Sequence, residues 1–223
     1  MEIIEGNYGK CYICDNMDKN VGLPSLKPKS WDLCLTDPPY NCNVKRADKI
    51  NYIDTFDNYP EYCKLWFEMC RCKSNSMLFT PGIPNEWLYP VPDWELCWFH
   101  AGSTTLGKRG MFSHWQPILY YSTKVIRNTD SISLPDIAKH YECDHPTLKP
   151  IALWKWLINN YNASSVIDPF LGSGTTAEAC EELGIPWLGY EIKAEYIPTI
   201  EKRIQNGIHL RSNQFKIQEL GEY

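Results

Sequence analysis

Residues Ser164 to Gly184 read SSVIDPFLGSGTTAEACEELG. A short apolar strand, Val166 to Asp168, ends on an acid, and two glycines, Gly172 and Gly174, lead directly into a helical pattern. Glycines let backbone approach a ligand closely, and a helix N-terminus offers unpaired amide donors. A phosphate loop needs a lysine after the last glycine, and Thr175 stands there instead, so an ATPase or GTPase is excluded. The full dinucleotide fingerprint is also missing. Glu191, in WLGYEIKAEY, follows Asp168 by 23 positions, where a carboxylate can accept ribose hydroxyls. Two carboxylates without a phosphate-seeking lysine suit a positively charged nucleoside ligand, of which S-adenosylmethionine is one. A plain turn with a surface glutamate is the alternative reading.

Outward from this loop, strands are expected at Tyr12–Cys14, Asp32–Thr36, Ser76–Thr80 and Trp187–Tyr190. Helices are expected at Tyr59–Cys72, Leu148–Tyr161, Thr175–Leu183 and Glu195–Ile204. The alternation implies an α/β fold, a doubly wound sheet with helices on both faces. Trp94–Phe99 and Pro117–Ser122 have no helix between them and are expected to pair as an antiparallel ribbon at one edge. The polar stretch Ser122–His145 reads as a long functional loop. With 223 residues, 43% of them hydrophobic, and no internal repeat, one domain over 1–223 is expected. No long apolar run or signal-like N-terminus is seen, so the expectation is a soluble cytoplasmic protein without a membrane partner, in the host cytoplasm if phage-encoded.

Ten cysteines are scattered, and only Cys11 and Cys14 form a C-x-x-C pair. On a strand, their odd separation sends them to opposite faces, so reduced thiols and no metal site are expected. The net charge of −5 argues against binding nucleic acid by bulk electrostatics. Local basic groups remain at Lys45, Arg46 and Lys49, and at Lys108 and Arg109, all in segments that read as loops.

A second motif, LCLTDPPYNCNV at Leu33 to Val44, runs from a strand into an acid, two prolines and a tyrosine. Pro38 and Pro39 have fixed φ and no N–H, so the chain is held in one shape. Asp37 can offer a carboxylate and Pro38 a carbonyl, two acceptors for both protons of an exocyclic base amine. Such a clamp favours a more tetrahedral, nucleophilic nitrogen. Tyr40 offers a face on which an extruded base can stack. Positioning alone supplies much of the rate of a methyl transfer to that amine.

DPPY, HPTLKP (His145 to Pro150) and DPFLGSGTT (Asp168 to Thr176), in this order, resemble the DNA amino-methyltransferases of the β group, in which the catalytic motif precedes the cofactor motif. The resemblance implies the class I methyltransferase fold, Rossmann-like and permuted, with a mostly parallel seven-stranded sheet and an antiparallel edge hairpin. It implies S-adenosylmethionine as cofactor and DNA as partner, with Asp37, Pro38, Pro39 and Tyr40 catalytic. Asp168, Phe170, Gly172, Ser173, Gly174 and Thr175 then line the cofactor site along with Asp37, and Glu191 binds the ribose. Thr147 and Lys149 come near the methionine carboxylate, and Asp15 resembles the acid beside the adenine.

The segment WFHAGSTTLGKRGMFSHWQPILYY also resembles the edge hairpin of small phage-type members, with Lys108 and Arg109 on its loop facing DNA. Lys45 and Arg46 are the other expected DNA contacts. No sizeable separate recognition domain is expected, which would leave loops at about 41–58, 100–116 and 123–144 to read the target. A homodimer combining two basic patches would ease the acidity. Asp as the first clamp residue is the family's usual choice for adenine, and Ser for cytosine, so N6-adenine is expected over N4-cytosine. Asn41, Gly102 and Ser103 leave room for the purine. A protein or RNA amine methyltransferase is the competing enzyme class, but there the glycine motif normally comes first. A cofactor-free partner subunit is the competing non-enzyme.

Overall fold

The computed structural model describes residues 1–45, 51–53, 55–100, 113–125, 128–134 and 149–220, with main chain only at 43–45, 51–53 and 215–220. The strands are β1 (Glu2–Glu5), β2 (Gly9–Ile13), β3 (Trp31–Thr36), β4 (Asn43–Lys45), β5 (Asn51–Ile53), β6 (Ser74–Phe79), β7 (Trp94–Phe99), β8 (Trp115–Tyr121), β9 (Ser131–Ser133), β10 (Val166–Asp168) and β11 (Trp187–Glu191). The helices are α1 (Tyr59–Lys73), α2 (Ile151–Tyr161), α3 (Thr175–Leu183) and α4 (Ile197–Leu220). Nine strands form one sheet in the order β1-β2-β11-β10-β3-β6-β8-β7-β9, and β4 with β5 forms a separate ribbon.

The five strands from β2 to β6 in that order are parallel, and β8 then runs antiparallel to both of its neighbours, β6 and β7. Successive residues of the central strands feed opposite faces, as strand geometry requires. Leu33, Leu35, Val166 and Leu78 join the core under α2, α3 and α4. Cys34, Ile167, Met77 and Phe79 join the core under α1. Helices therefore cover both faces, and the short central strands read as continuous apolar runs.

The sheet corrects the expected count of seven. Two short strands extend it, β1 antiparallel to β2 at one edge and β9 parallel to β7 at the other. The ribbon β7–β8 forms in the expected pairing but lies one strand inside the edge. Neither added strand shows alternation, since only Ile4 of β1 is buried and no residue of β9 is. The expected recognition loop at 41–58 contains the β4–β5 ribbon.

Helix ends follow local chemistry. Asn58 caps α1 by accepting from the Glu61 N–H at 3.4 Å, Pro60 lies in the first turn, and Arg71 and Lys73 lie in the last. Pro150 is the N-cap of α2, so the helix begins after it and not at Leu148. After a 3-10 turn at Ala194–Tyr196, α4 runs 16 residues past its expected end at Ile204. Gly207 does not stop it, because a Cβ there would lie 2.6 Å from the Glu178 carbonyl of α3 and the bare glycine lets the two helices touch.

Candidate active site

Strands β10 and β3 lie side by side in parallel, with Val166 opposite Leu33 and Ile167 opposite Cys34. From β10 the chain passes through α3 to β11 on one side. From β3 it passes through α1 to β6 on the other. The strand order reverses here, and a crevice opens beyond the carboxyl ends of the two strands. Asp168 ends β10 and Asp37 follows β3, so two motifs 131 residues apart meet at one cavity of about 620 Å³.

The DPPY turn is held by groups from three other segments. Tyr59 of α1 donates to the Pro39 carbonyl at 2.6 Å, and Asn85 donates to the Tyr40 carbonyl at 3.1 Å. Asn41, at φ 54°, accepts from the Phe56 N–H at 3.0 Å. Among the described residues the Pro38 carbonyl accepts no hydrogen bond, which leaves it open toward a ligand. The Asp37 carboxylate is heavily engaged: Oδ1 accepts from Tyr40 Oη at 2.5 Å and from Thr80 Oγ1, and Oδ2 accepts from Lys149 Nζ at 2.6 Å. Burial, then the adjacent Asp37 charge, pushes the Tyr40 hydroxyl well above its ordinary value of 10.0, so it stays a donor. A Cβ at Gly82 would sit 3.3 Å from the Tyr40 ring, so that residue is bare where the ring packs.

Asp168 is buried and bound on both oxygens, by Thr36 Oγ1 and the Phe170 N–H at Oδ1 and by Thr176 Oγ1 at Oδ2. Burial raises its carboxyl to about 6, against the pull of those three donors and with the nearby Asp37 charge adding to the rise. Glu191 lies across the loop, accepting from the Gly172 N–H and the Lys193 N–H, each at 2.8 Å, and burial raises its carboxyl too. Gly172 has φ 56°, in the left-handed region that favours glycine, and lines the cavity. Gly174, at φ 91°, opens α3, and Ser173 and Thr175 beside it are buried and line the cavity. Phe170 packs on Trp66 with ring centroids 5.5 Å apart. Asp15 is exposed at the cavity rim and accepts from the Met17 N–H at 2.8 Å, while Asn16 donates to the Pro169 carbonyl.

The structure therefore brings Asp15, the DPPY turn, Lys149, the glycine loop and Glu191 to one cavity. Arg46, Lys49, Lys108, Arg109, Thr147, Gly102 and Ser103 lie outside the described residues, and the Lys45 side chain does too. Cys11 is buried while Cys14 lines the cavity, and none of the described cysteines forms a disulfide. The described residues contain no group of three or more side chains that could hold a metal. Sequence reading missed Thr80, whose hydroxyl fixes Asp37, although its place at the end of the strand beside β3 was a signal. It also missed Tyr62 and Phe56, stacked at 3.9 Å on the cavity wall, and Trp154, which donates to Thr176 at 2.6 Å. No described helix is long and apolar enough to cross a membrane.

Residues 99–202 match the family model described as DNA methylase. The type II methyltransferase M.HpaI of Haemophilus parainfluenzae is 26% identical over 238 residues, covering 87% of this chain and 74% of its own length. M2.DpnII of Streptococcus pneumoniae, also a type II methyltransferase, is 23% identical over 229 residues, covering 82% of this chain and 85% of its own. Among solved structures, the M1.HpyAVI–SAM complex superposes with a TM-score of 0.63 at 22% identity, covering 88% of this chain and 98% of that one. The cytosine-N4-specific PvuII DNA methyltransferase has a TM-score of 0.63 at 15% identity, covering 93% and 92%. These likenesses establish the fold. With the DPPY turn ahead of the glycine loop, the chain is similar to DNA methylases over residues 99–202 and to type II methyltransferases along most of its length.

Proposed function

We propose that this chain transfers a methyl group from S-adenosylmethionine to the N6 amine of an adenine turned out of DNA. The observation that carries the reading is the meeting of the DPPY turn and the glycine loop at one cavity of about 620 Å³. The cavity suits the cofactor: Gly172, left-handed and without a side chain, lines it, and Asp15, Asp168 and Glu191 give it the negative character that suits a nucleoside carrying a sulfonium and an ammonium. S-adenosylmethionine, held by the glycine loop and Glu191, would supply an electrophilic sulfonium methyl group for transfer to the amine.

The chain's own groups then position the amine. One N–H reaches Asp37 Oδ2 and the other the open Pro38 carbonyl, while Thr80, Tyr59 and Asn85 keep the turn rigid. Pro39 and Tyr40 complete that turn, and the Tyr40 ring gives the base a face to stack on. Glu191 accepts from the ribose hydroxyls, and the glycine loop closes over the methionine part. Lys45, Arg46, Lys108 and Arg109 meet the DNA backbone. Asp as the first clamp residue favours adenine over cytosine N4.

Reaction with unmodified genomic DNA, digestion to nucleosides and mass spectrometry test the assignment. N6-methyladenosine as the dominant product supports it, and N4-methylcytidine without methyladenine overturns the base while keeping the reaction class. Asp37→Ala is expected to slow transfer about 1,000-fold while cofactor affinity is largely retained. Normal turnover by that variant would place the clamp elsewhere.

A further inference from the structure

The resemblance put Lys149 beside the cofactor's carboxylate, yet its ammonium lies on the catalytic acid. Nζ is 2.6 Å from Asp37 Oδ2 and 3.0 Å from Tyr40 Oη, with the lysine side chain 6% exposed. It also sits 5.1 Å from the Tyr40 ring centroid. A carboxylate has about four acceptor positions, two on each oxygen. On Asp37, Tyr40 and Thr80 take both positions of Oδ1, and Lys149 takes one of Oδ2. Among the described residues, a single position on Oδ2 is left for a substrate amine.

The geometry points to Lys149 as a positioning residue of the amine clamp: it orients Asp37 so that one acceptor position on Oδ2 faces the substrate amine. This rests on the methyl-transfer reading above and adds to it a residue acting through Asp37. The lysine is well placed to be rigid. Pro150 follows it directly and restricts its backbone, and α2 begins at the next residue. One turn into α2, Trp154 donates to Thr176, which donates to Asp168, so the helix that Lys149 leads into is tied to the glycine loop. An ammonium there also offsets the proximity of two carboxylates, since the Asp37 charge is one of the causes that raise the Asp168 carboxyl. An apolar side chain would leave both acceptor positions of Oδ2 open, and the amine would no longer be confined to one of them.

The test uses the full chain on unmethylated genomic DNA, with cofactor binding by calorimetry and a thermal melt for each variant. Lys149→Met is expected to lower kcat about 100-fold, the usual loss for one fixed hydrogen-bonding group in a reacting centre. Its S-adenosylmethionine Kd should stay within about threefold, and the Asp37→Asn/Lys149→Met double variant should be no slower than Asp37→Asn, because residues acting as a unit do not lose activity additively. Cofactor affinity weakened tenfold or more with kcat held, an unchanged kcat, or losses that multiply in the double variant overturn the inference and leave methyl transfer standing. If Lys149→Met does not fold, Lys149→Arg is compared with Lys149→Gln: a faster Arg variant at equal cofactor affinity supports the role, and equal rates overturn it. Wild-type protein that methylates no DNA overturns the methyl-transfer reading and this inference together.

Discussion

Gly172 combines a left-handed backbone, φ 56°, with a place in the cavity lining. Gly172→Val therefore both strains the loop and fills ligand space. Calorimetric titration should detect no S-adenosylmethionine binding to that variant, and wild-type affinity would remove the loop from the cofactor site. Asp168 gives a second prediction. Its buried carboxyl titrates at about 6, above the ordinary 3.8, so the folded state binds a proton more tightly than the unfolded chain. Stability attached to this group is accordingly full at low pH and falls as pH rises through that window, by about 3 kcal/mol in total. Asp168→Asn removes the titration, so its stability relative to wild type should improve between about pH 4 and about pH 7 in urea unfolding. A difference independent of pH would mean the carboxyl is not held up by burial. The reasons for these two residues differ in legibility. The glycine is plain in GSG, whereas the Asp168 shift comes from burial in the folded chain, opposed by hydrogen bonds from Thr176 and from Thr36, the latter 132 residues away.

Elements are joined by buried polar groups that no local pattern announces. Glu181 of α3 is fully buried, and its carboxylate accepts from the Asn7 N–H at 3.1 Å, the Tyr8 N–H at 3.0 Å and Trp187 Nε1 at 2.8 Å. It fastens the β1–β2 turn and the start of β11 to the helix. Glu181→Ala leaves these donors without their acceptor and should destabilise the protein by about 3 kcal/mol, read as a lower urea midpoint. Cofactor affinity should barely change, because the turn lies away from the cavity; equal loss of both would mean the edge hairpin supports the site directly. In sequence, Glu181 and Glu182 look like an exposed helical pair, and the helical period alone does not say which face meets the hairpin. The same limit explains α4, expected to end at Ile204: it runs on through Gly207, because that glycine lies against α3.

At the scale of the whole molecule, a chain of net charge −5 must meet a polyanion. Our reading concentrates the attraction in a few loop cations. Lys108→Ala with Arg109→Ala should weaken DNA binding and reduce the slope of log K against log salt, by about one unit for each phosphate no longer neutralised, with cofactor affinity unchanged. An unchanged slope would mean that loop does not touch DNA.

The sequence by itself determined the alternation of strands and helices, the glycine turn and the proline-held turn, since each depends on residues within a few positions of one another. That local reading extends to the order of motifs, which carries the family. Only the tertiary structure decided how the two turns meet, because the adjacency of β10 and β3 is a matter of strand pairing across more than 130 residues. It alone decided that β1 and β9 extend the sheet to nine strands, since strands of four and three residues gain their order from neighbours and carry no period of their own. The Lys149–Asp37 pair is of the same kind: 112 positions separate the residues, and only the crevice between two strand ends makes their charges neighbours.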